Sequence, residues 1–216
     1  MKRSLKSVLV LTNSYIDLMK PNILIMVLIT SILGYYLGSD GTILWQNLIW
    51  LLIGVTFSAG GAGVLNQYIE REQDKIMNRT CGRPIPSGII SAQNALIFGI
   101  ITVILGIIIL VVKTNLLTGF LSLLTAFMYV LIYTPMKRIT WLNTSIGSIP
   151  GAIPPIGGWA AATNSIDSGA WILFAILYLW QHPHFFAIAW MCKDDYEKAG
   201  FKMLPVIEPD GKRTTR

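Results

Sequence analysis

The polar stretch Asn66-Gln-Tyr-Ile-Glu-Arg-Glu-Gln-Asp-Lys-Ile-Met-Asn-Arg-Thr-Cys-Gly-Arg-Pro84 lies between two long apolar runs of the chain. Within it, Asn66, Glu70 and Asp74 recur every four positions. On a helix each such step rotates the side chain by about 40°, so the three side chains form one stripe about 12 Å long. Polar ligands at the mouth of a membrane helix are costly unless they serve a function. The stripe therefore predicts a site for a divalent cation and the anion that it carries.

The composition is that of an integral membrane protein. Hydrophobic residues make up 53% of the 216 residues, charged residues only 13%, and the mean hydropathy is +0.58. A soluble domain usually carries about 25% charged residues. Six apolar runs are long enough, or nearly so, to cross a hydrocarbon core of about 30 Å. They cover residues 21–38, 43–65, 89–112, 116–134, 142–162 and 169–192. We therefore predict an all-α, polytopic transmembrane helical bundle with about six spans.

The basic residues mark one side of the membrane. Of the 17 Lys and Arg residues, only Lys113 falls on the far side when the chain crosses at these runs. The positive-inside rule then places the N-terminus and the basic loops in the cytoplasm. Topology and the anionic leaflet explain the net charge of +6 without a nucleic-acid partner. We expect a multi-pass protein of the cell (inner or plasma) membrane with a cytoplasmic N-terminus.

The chain divides into three parts on this reading. Residues 1–20 form a retained cytoplasmic segment, because no cleavage site of the signal-peptide type follows promptly. Residues 21–192 form the transmembrane domain, with cytoplasmic loops near 66–88 and 135–141, and residues 193–216 form a cytoplasmic loop or tail with a second acidic motif. The sequence stops soon after this charged segment, which is typical of a chain that lacks further C-terminal helices.

Two spans carry unusual small residues and prolines. Residues 57–66 are nearly all small, which allows helix backbones to approach closely in lipid, either for packing alone or around a ligand. The fifth span contains Pro150, Pro154 and Pro155 among several glycines. Such a broken helix is tolerated where neighbours or a cavity satisfy the backbone, so we expect it to line a cavity.

The stripe offers the chemistry of a Mg²⁺-diphosphate site. Glu70 and Asp74 supply hard oxygen ligands one turn apart, and Asn66 can coordinate or orient a ligand. Arg79 and Arg83 follow within reach, and guanidinium groups grip phosphate well. The alternative is a solvated juxtamembrane helix. That alternative fits poorly, because Glu70 and Asp74 are like charges at i,i+4 and destabilise a bare helix.

Two further polar segments are expected on the same side of the membrane. Asp194 and Asp195 follow the sixth span and would allow two acidic segments to hold cations around a diphosphate. Lys137 and Arg138 form a basic pair in the loop after the fourth span. This pair either contacts the diphosphate or anchors the topology, and the two roles are compatible.

Histidines occur at two positions of the chain, both within the sixth apolar run. The segment is Trp180-Gln-His182-Pro-His184-Phe-Phe186. A histidine inside a helix bundle is more often a hydrogen-bonded packing residue than a metal ligand. The aromatic setting also suits a flat macrocyclic ligand with an imidazole available to iron, and of the two we favour His184 for that role.

Four motifs and one dipeptide of the chain match the pattern of a known family. The motifs are Asn66-x-x-x-Glu70-x-x-x-Asp74-x-x-Met77-x-Arg79-Thr80-x-x-Arg83-Pro84, Tyr133-Thr134-x-x-Lys137-Arg138-x-Thr140 with Asn143, Trp180-Gln181-x-Pro183-His184-Phe185, and Asp194-Asp195-Tyr196-x-x-Ala199-Gly200-x-x-Met203-Leu204-Pro205, and the dipeptide is Lys20-Pro21. Together they resemble the UbiA-type intramembrane prenyltransferases, and within that family its haem-farnesylating members. The resemblance runs from about residue 15 to about residue 206. Many members of the superfamily carry Asp at the position of Glu70, whereas Glu is expected in the haem-specific group.

The resemblance implies a reaction and a set of partners. Farnesyl diphosphate would donate its farnesyl group to the vinyl group of haem B, which gives haem O. Mg²⁺ would be held through Glu70, Asp74, Asp194 and Asp195. Charge on the leaving group would be stabilised by Arg79, Arg83, Lys137 and Arg138, and haem would lie near His184, His182 and Trp180. The family has about nine helices, and the next enzyme of haem A synthesis is an expected partner.

Two other functions fit the same features. The first is a UbiA-type enzyme that prenylates a quinone or phenolic ring, although a small aromatic acceptor would not require the segment from Trp180 to Phe185. The second is a polytopic transporter with broken helices. A transporter would carry ionisable groups at mid-membrane, whereas the acidic residues here cluster at one face.

Overall fold

The computed structural model describes residues 2–208, 210–212 and 214, with side chains from residue 9 onward, and these residues form helices without any β-strand. The helices and one π-helical segment run in the order α1 Lys2–Leu18, α2 Pro21–Gly38, α3 Trp45–Ile69, α4 Arg71–Ile76, α5 Ala92–Lys113, α6 Leu116–Phe127, π segment Met128–Tyr133, α7 Thr134–Met136, α8 Asn143–Thr163, α9 Ser168–Met191, α10 Lys193–Lys198 and α11 Leu204–Ile207. The predicted all-α helical bundle is confirmed.

Five of these helical stretches are long and apolar enough to cross a membrane within the described residues, one fewer than the sequence predicted. They are Pro21–Gly38, Trp45–Ile69, Ala92–Lys113, Leu116–Met136 and Ser168–Met191. The expected fifth span is present as the 21-residue helix α8, but its glycines, prolines and hydroxyl side chains make it less apolar than the others. Neighbouring helices bury much of α8, and this cover is what lets a helix with internal prolines persist in a bundle.

The bundle is held by close helix pairs. Helix α3 packs along α5, and α8 packs against α2, α6 and α9. The α3–α5 contact is so close that a Cβ on Gly106 would lie 2.4 Å from the backbone nitrogen of Ser58. Small residues at such crossings are the usual means of association in lipid, because apolar side chains gain little from leaving an equally apolar solvent.

The connections that follow α3, α7 and α9 meet at one end of the bundle. The backbone N–H of Lys202 donates to the carbonyl of Lys137 at 2.6 Å, and the Asn143 amide donates to the carbonyl of Lys202 at 3.1 Å. Met77, Tyr196 and several neighbours form a small buried cluster in the same region. Polar segments that are distant in the sequence are therefore brought together at this end.

The crossing of α2 and α8 gives a direct test of the packing. A Cβ on Gly158 would lie 2.0 Å from the carbonyl oxygen of Ser31, whereas a Cβ on the adjacent Gly157 would have no atom within 4 Å. We expect Gly158→Ala to destabilise the bundle by about 1–3 kcal/mol, because two backbones must separate. Gly157→Ala is the control and should leave the thermal unfolding temperature in detergent nearly unchanged. Equal effects of the two substitutions would contradict this packing.

Candidate functional site

The Asn66–Glu70–Asp74 stripe is buried at the end of α3. Helix α3 runs to Ile69, further than the apolar run predicted, and a break at Glu70 separates it from α4. The backbone hydrogen bonds nevertheless continue, from Glu70 N–H to Asn66 at 3.0 Å and from Asp74 N–H to Glu70 at 2.8 Å. The exposed fractions of Asn66, Glu70 and Asp74 are 0%, 6% and 0%. Three polar side chains are therefore withdrawn from water along one line.

Each carboxylate of the stripe has a cationic partner. Glu70 Oε1 lies 2.7 Å from Lys137 Nζ, and Arg83 Nη1 donates to both oxygens of Asp74 at 2.9 and 2.8 Å. Burial opposes the charged form of Lys137, but the negative field of Glu70 outweighs it and leaves the pKa of the Lys137 ammonium above its ordinary value. Lys137 and Arg83, which were predicted to contact the diphosphate, thus form ion pairs with the predicted metal ligands.

Asn66 connects the stripe to residues that the sequence analysis did not assign to the site. Its amide nitrogen donates to Thr134 Oγ1 at 2.9 Å, and its amide oxygen accepts a hydrogen bond from Lys20 Nζ. Lys20 Nζ also donates to the Tyr129 hydroxyl at 3.4 Å. In the sequence, the signal for Lys20 was only that it precedes Pro21 in a matching motif, and nothing in the sequence marked Tyr129.

The π-helical segment before α7 positions two aromatic rings beside these charges. The rings of Tyr129 and Tyr133 stack with centroids 5.7 Å apart, and Lys137 Nζ lies 4.7 Å from the Tyr133 centroid. Thr134 Oγ1 donates to the Tyr129 carbonyl at 2.8 Å and accepts the hydrogen bond of the Asn66 amide, so it connects the π-helical segment to Asn66. π-Helical turns are rare and often occur at functional sites. Here the turn places cations, rings and carboxylates next to one another.

Asp195 holds the segment that carries Arg79. Its two carboxylate oxygens accept hydrogen bonds at 3.2 Å from the backbone N–H groups of Asn78 and Arg79. The Arg79 guanidinium donates to the Tyr196 hydroxyl at 3.2 Å and lies over the same ring. The two predicted polar segments therefore meet, but in this structure they meet through a carboxylate–backbone contact.

Other predicted site residues lie outside this buried cluster. Asp194 and Arg138 are exposed, and within the described residues no group of three or more His, Cys, Asp or Glu side chains is arranged to hold a metal ion. Glu70, Asp74, Asp194 and Asp195 therefore do not form a single ligand cluster here. Glu70 Oε1 is nevertheless buried, and its close partner is the Lys137 ammonium at 2.7 Å.

A cavity of about 400 Å³ opens beside the stripe. Its wall consists of Ile69, Glu70, Gln73, Thr134, Pro135, Arg138, Ile139 and Phe201. A second cavity of about 50 Å³ lies between α2, α3, α5, α6 and α8, and Pro154 and Gly157 contribute to its lining, as expected for the proline-rich helix. The charged cluster therefore borders space that could admit a ligand of moderate size.

The two histidines of α9 have different surroundings. His182 Nδ1 lies 2.8 Å from the Tyr178 carbonyl oxygen within α9, and Nε2 lies 3.1 Å from Ser145 Oγ, which joins α9 to α8. His184 is exposed and stacks on Trp180, with centroids 4.8 Å apart and Trp180 57% exposed. Of the two, His184 is the one whose nitrogens make no hydrogen bond with the residues that the structure describes.

The fold and the buried charge cluster agree with a sequence-based assignment to a family of membrane enzymes. The sequence model of the UbiA prenyltransferase family matches residues 27–216. The chain belongs to this family, which confirms the resemblance and sets the transporter hypothesis aside.

Individual relatives narrow the comparison. The protoheme IX farnesyltransferase of Solibacter usitatus is 44% identical over 211 residues, which cover 94% of this chain and 72% of the relative. The protein of the same name from Salinibacter ruber is 43% identical over 93% of this chain and 71% of the relative. A solved UbiA homologue from Archaeoglobus fulgidus, bound to GPP and Mg²⁺, shares the fold with a TM-score of 0.74 at 18% identity, over 93% of this chain and 71% of that chain.

The Asp195 contact leads to a test with a neighbouring control. We expect Asp195→Ala to increase amide hydrogen exchange at Asn78 and Arg79, because both N–H groups lose their acceptor. Asp194→Ala should leave this exchange unchanged, because Asp194 is exposed. Hydrogen-exchange mass spectrometry in detergent provides the measurement. Unchanged exchange in Asp195→Ala would show that Asp195 does not hold this segment.

Proposed function

We propose that this chain transfers a farnesyl group from farnesyl diphosphate to the vinyl group of haem B and so produces haem O. The observation that carries the proposal is the buried cluster of two carboxylates and their cationic partners at the end of an apolar bundle. The names of the relatives from Solibacter usitatus and Salinibacter ruber support the choice of donor and acceptor.

The cationic side chains would bind the diphosphate and stabilise its departure. Lys137 is largely buried, Arg83 is half-buried, and both are oriented by their carboxylates, so they need little reorganisation when negative charge develops on the leaving oxygen. Arg79 adds a guanidinium in the adjacent segment held by Asp195. Removing one such preorganised partner typically costs about 3 kcal/mol of transition-state stabilisation.

The carboxylates fit a Mg²⁺ ion that arrives with the substrate. Mg²⁺ usually keeps several waters and binds through one or two carboxylates together with substrate phosphates. Glu70 offers a buried carboxylate oxygen, held 2.7 Å from the Lys137 ammonium, and Asp74 lies one turn away. We infer that these two residues hold the ion, with Asp194 or Asp195 as further candidates. Bound Mg²⁺ would neutralise charge on the diphosphate.

The aromatic and apolar surroundings suit an allylic cation. When the bond between farnesyl C1 and the diphosphate oxygen breaks, the electron pair leaves with the diphosphate. The stacked faces of Tyr129 and Tyr133 are adjacent and can stabilise the positive charge. Farnesyl C1 then bonds to the terminal vinyl carbon, and the remaining cation takes up water with release of a proton to diphosphate or solvent. Bulk water must be kept from the first cation.

We assign haem B to the side of α9 that carries Trp180 and His184, because His182 is committed to α8. The protein would lie in the cell membrane with a cytoplasmic N-terminus, and the next enzyme of haem A synthesis would receive its product. A quinone or phenolic acceptor is the alternative, since that reaction requires the same diphosphate site.

Labelled farnesyl diphosphate distinguishes these acceptors. Purified protein in detergent with Mg²⁺ should transfer label to haem B and not to an aromatic acid. Label on the aromatic acid alone would refute the haem assignment and favour the quinone-type reaction.

A matched pair of variants tests the stripe in the same assay. Glu70→Gln should lower the rate of farnesyl transfer by about 100-fold to 1,000-fold, because Glu70 is both the proposed metal ligand and the ion-pair partner of Lys137. Glu72→Gln is the control, since Glu72 is exposed and its ion pairs are with the neighbouring Arg71 and Lys75. Similar rates for Glu70→Gln and the unmodified protein would exclude Glu70 from the reaction.

A further inference from the structure

Lys20 has a backbone conformation that is rare for its residue type. Its φ and ψ angles are 55° and 64°, in the left-handed region, immediately before Pro21 at the start of α2. A non-glycine residue in this region is strained and persists only where the surroundings impose it. The N–H groups of Ile23 and Leu24 both donate to the Lys20 carbonyl at 3.0 Å, which fixes this turn at the helix start.

The turn directs the Lys20 side chain into the buried cluster. Its ammonium donates to the Asn66 amide oxygen and, at 3.4 Å, to the Tyr129 hydroxyl. Both acceptors are neutral, and an ammonium has three donors, so one N–H is uncommitted by these contacts. Lys20, immediately before α2, thus reaches the Asn66 end of the stripe, whereas Lys137 follows α7 and Arg83 follows α4.

The pairing of charges distinguishes Lys20 from the other cations of the cluster. Lys137 is paired with Glu70 and Arg83 with Asp74, whereas Lys20 has no ion pair with any described carboxylate. Three cationic side chains therefore face two carboxylates. The unpaired positive charge is that of Lys20. An incoming anion can replace the contacts of Lys20 without breaking an ion pair.

The electrostatic environment supports the same conclusion. Burial lowers the pKa of Lys20 to about 7, and the attraction of Glu70 and Asp74 only partly offsets this effect, while Arg83 and Lys137 add to it. The ammonium of Lys20 is thus poorly stabilised by the residues around it. An anionic ligand beside it would supply the missing stabilisation.

We propose that Lys20 is a further catalytic residue, which contacts the diphosphate of the prenyl donor and stabilises it as the bond to C1 breaks. The inference rests on the proposed prenyl transfer. Lys20 supplies hydrogen bonds to oxygens that gain negative charge, and it transfers no proton in this step. Asn66 and the Tyr129 hydroxyl hold the ammonium in place before the substrate arrives.

Binding of inorganic pyrophosphate with Mg²⁺ tests the contact without any acceptor. Calorimetry in detergent should show affinity about 10-fold to 100-fold weaker for Lys20→Met, as expected for a lost charged hydrogen bond. Lys20→Arg keeps the charge and should retain most of the affinity. Lys75→Met is the control, because Lys75 is exposed and pairs with Glu72. Unchanged affinity in Lys20→Met would overturn the proposal.

Turnover separates a substrate contact from a purely structural role. If the contact strengthens in the transition state, Lys20→Met lowers kcat more than it raises KM. Tyr129→Phe removes only the hydroxyl that holds Lys20, so it should lower kcat by a few-fold and leave pyrophosphate affinity nearly intact. Equal kcat in the unmodified protein and Lys20→Met would again overturn the proposal.

The two assays distinguish this inference from the proposed function. If the unmodified protein fails to label haem B, the haem reaction is refuted. A loss of pyrophosphate affinity in Lys20→Met would then still support Lys20 as a diphosphate contact. If haem B is labelled normally by Lys20→Met, the haem reaction stands and the role of Lys20 is refuted.

Discussion

The burial of two carboxylates at the end of a lipid-embedded helix bundle is the constraint from which the site follows. Glu70 and Asp74 are withdrawn from water, and each needs a positive partner close by. Lys137 and Arg83 supply these partners at hydrogen-bonding distance. Breaking such a buried pair typically costs about 3–5 kcal/mol, because the remaining charge stays buried without a partner. The polar ends of α3, α4 and α7 are therefore interdependent.

The irregular parts of the backbone are where these partners are delivered. The π-helical segment brings Tyr129 and Tyr133 to the cluster, and the left-handed turn at Lys20 brings a third cation. Asp195 fixes the backbone of the segment that carries Arg79. The regular helices, by contrast, pack closely through small residues and provide a rigid frame. The proposed site thus lies where the helices end, widen or turn.

Much of this arrangement was accessible from the sequence, because it depends on local spacing. The four-residue repeat of Asn66, Glu70 and Asp74 predicted a stripe, and the apolar runs predicted the long helices. The contact of Asp195 with the 78–79 backbone and the position of Lys20 depend on residues about 50 to 120 positions apart, and no local pattern encodes them. Helix α8 was predicted as a broken span that lines a cavity, but it is one continuous helix from Asn143 to Thr163. Its prolines and glycines make it less apolar than the other spans. Arg138 was predicted together with Lys137, but Lys137 pairs with Glu70, whereas Arg138 is exposed in the wall of the adjacent cavity.

The central claim is that the cluster of Lys20, Lys137, Arg83 and the two carboxylates is a prenyl-diphosphate site. A structure of the protein with Mg²⁺ and a farnesyl thiodiphosphate, which resists ionisation, tests it most directly. The account predicts that the two phosphates lie at hydrogen-bonding distance, about 3 Å, from the Lys20 and Lys137 ammonium groups, with Mg²⁺ against Glu70 and Asp74. Phosphates bound elsewhere, with the Glu70–Lys137 and Asp74–Arg83 pairs undisturbed, would contradict it.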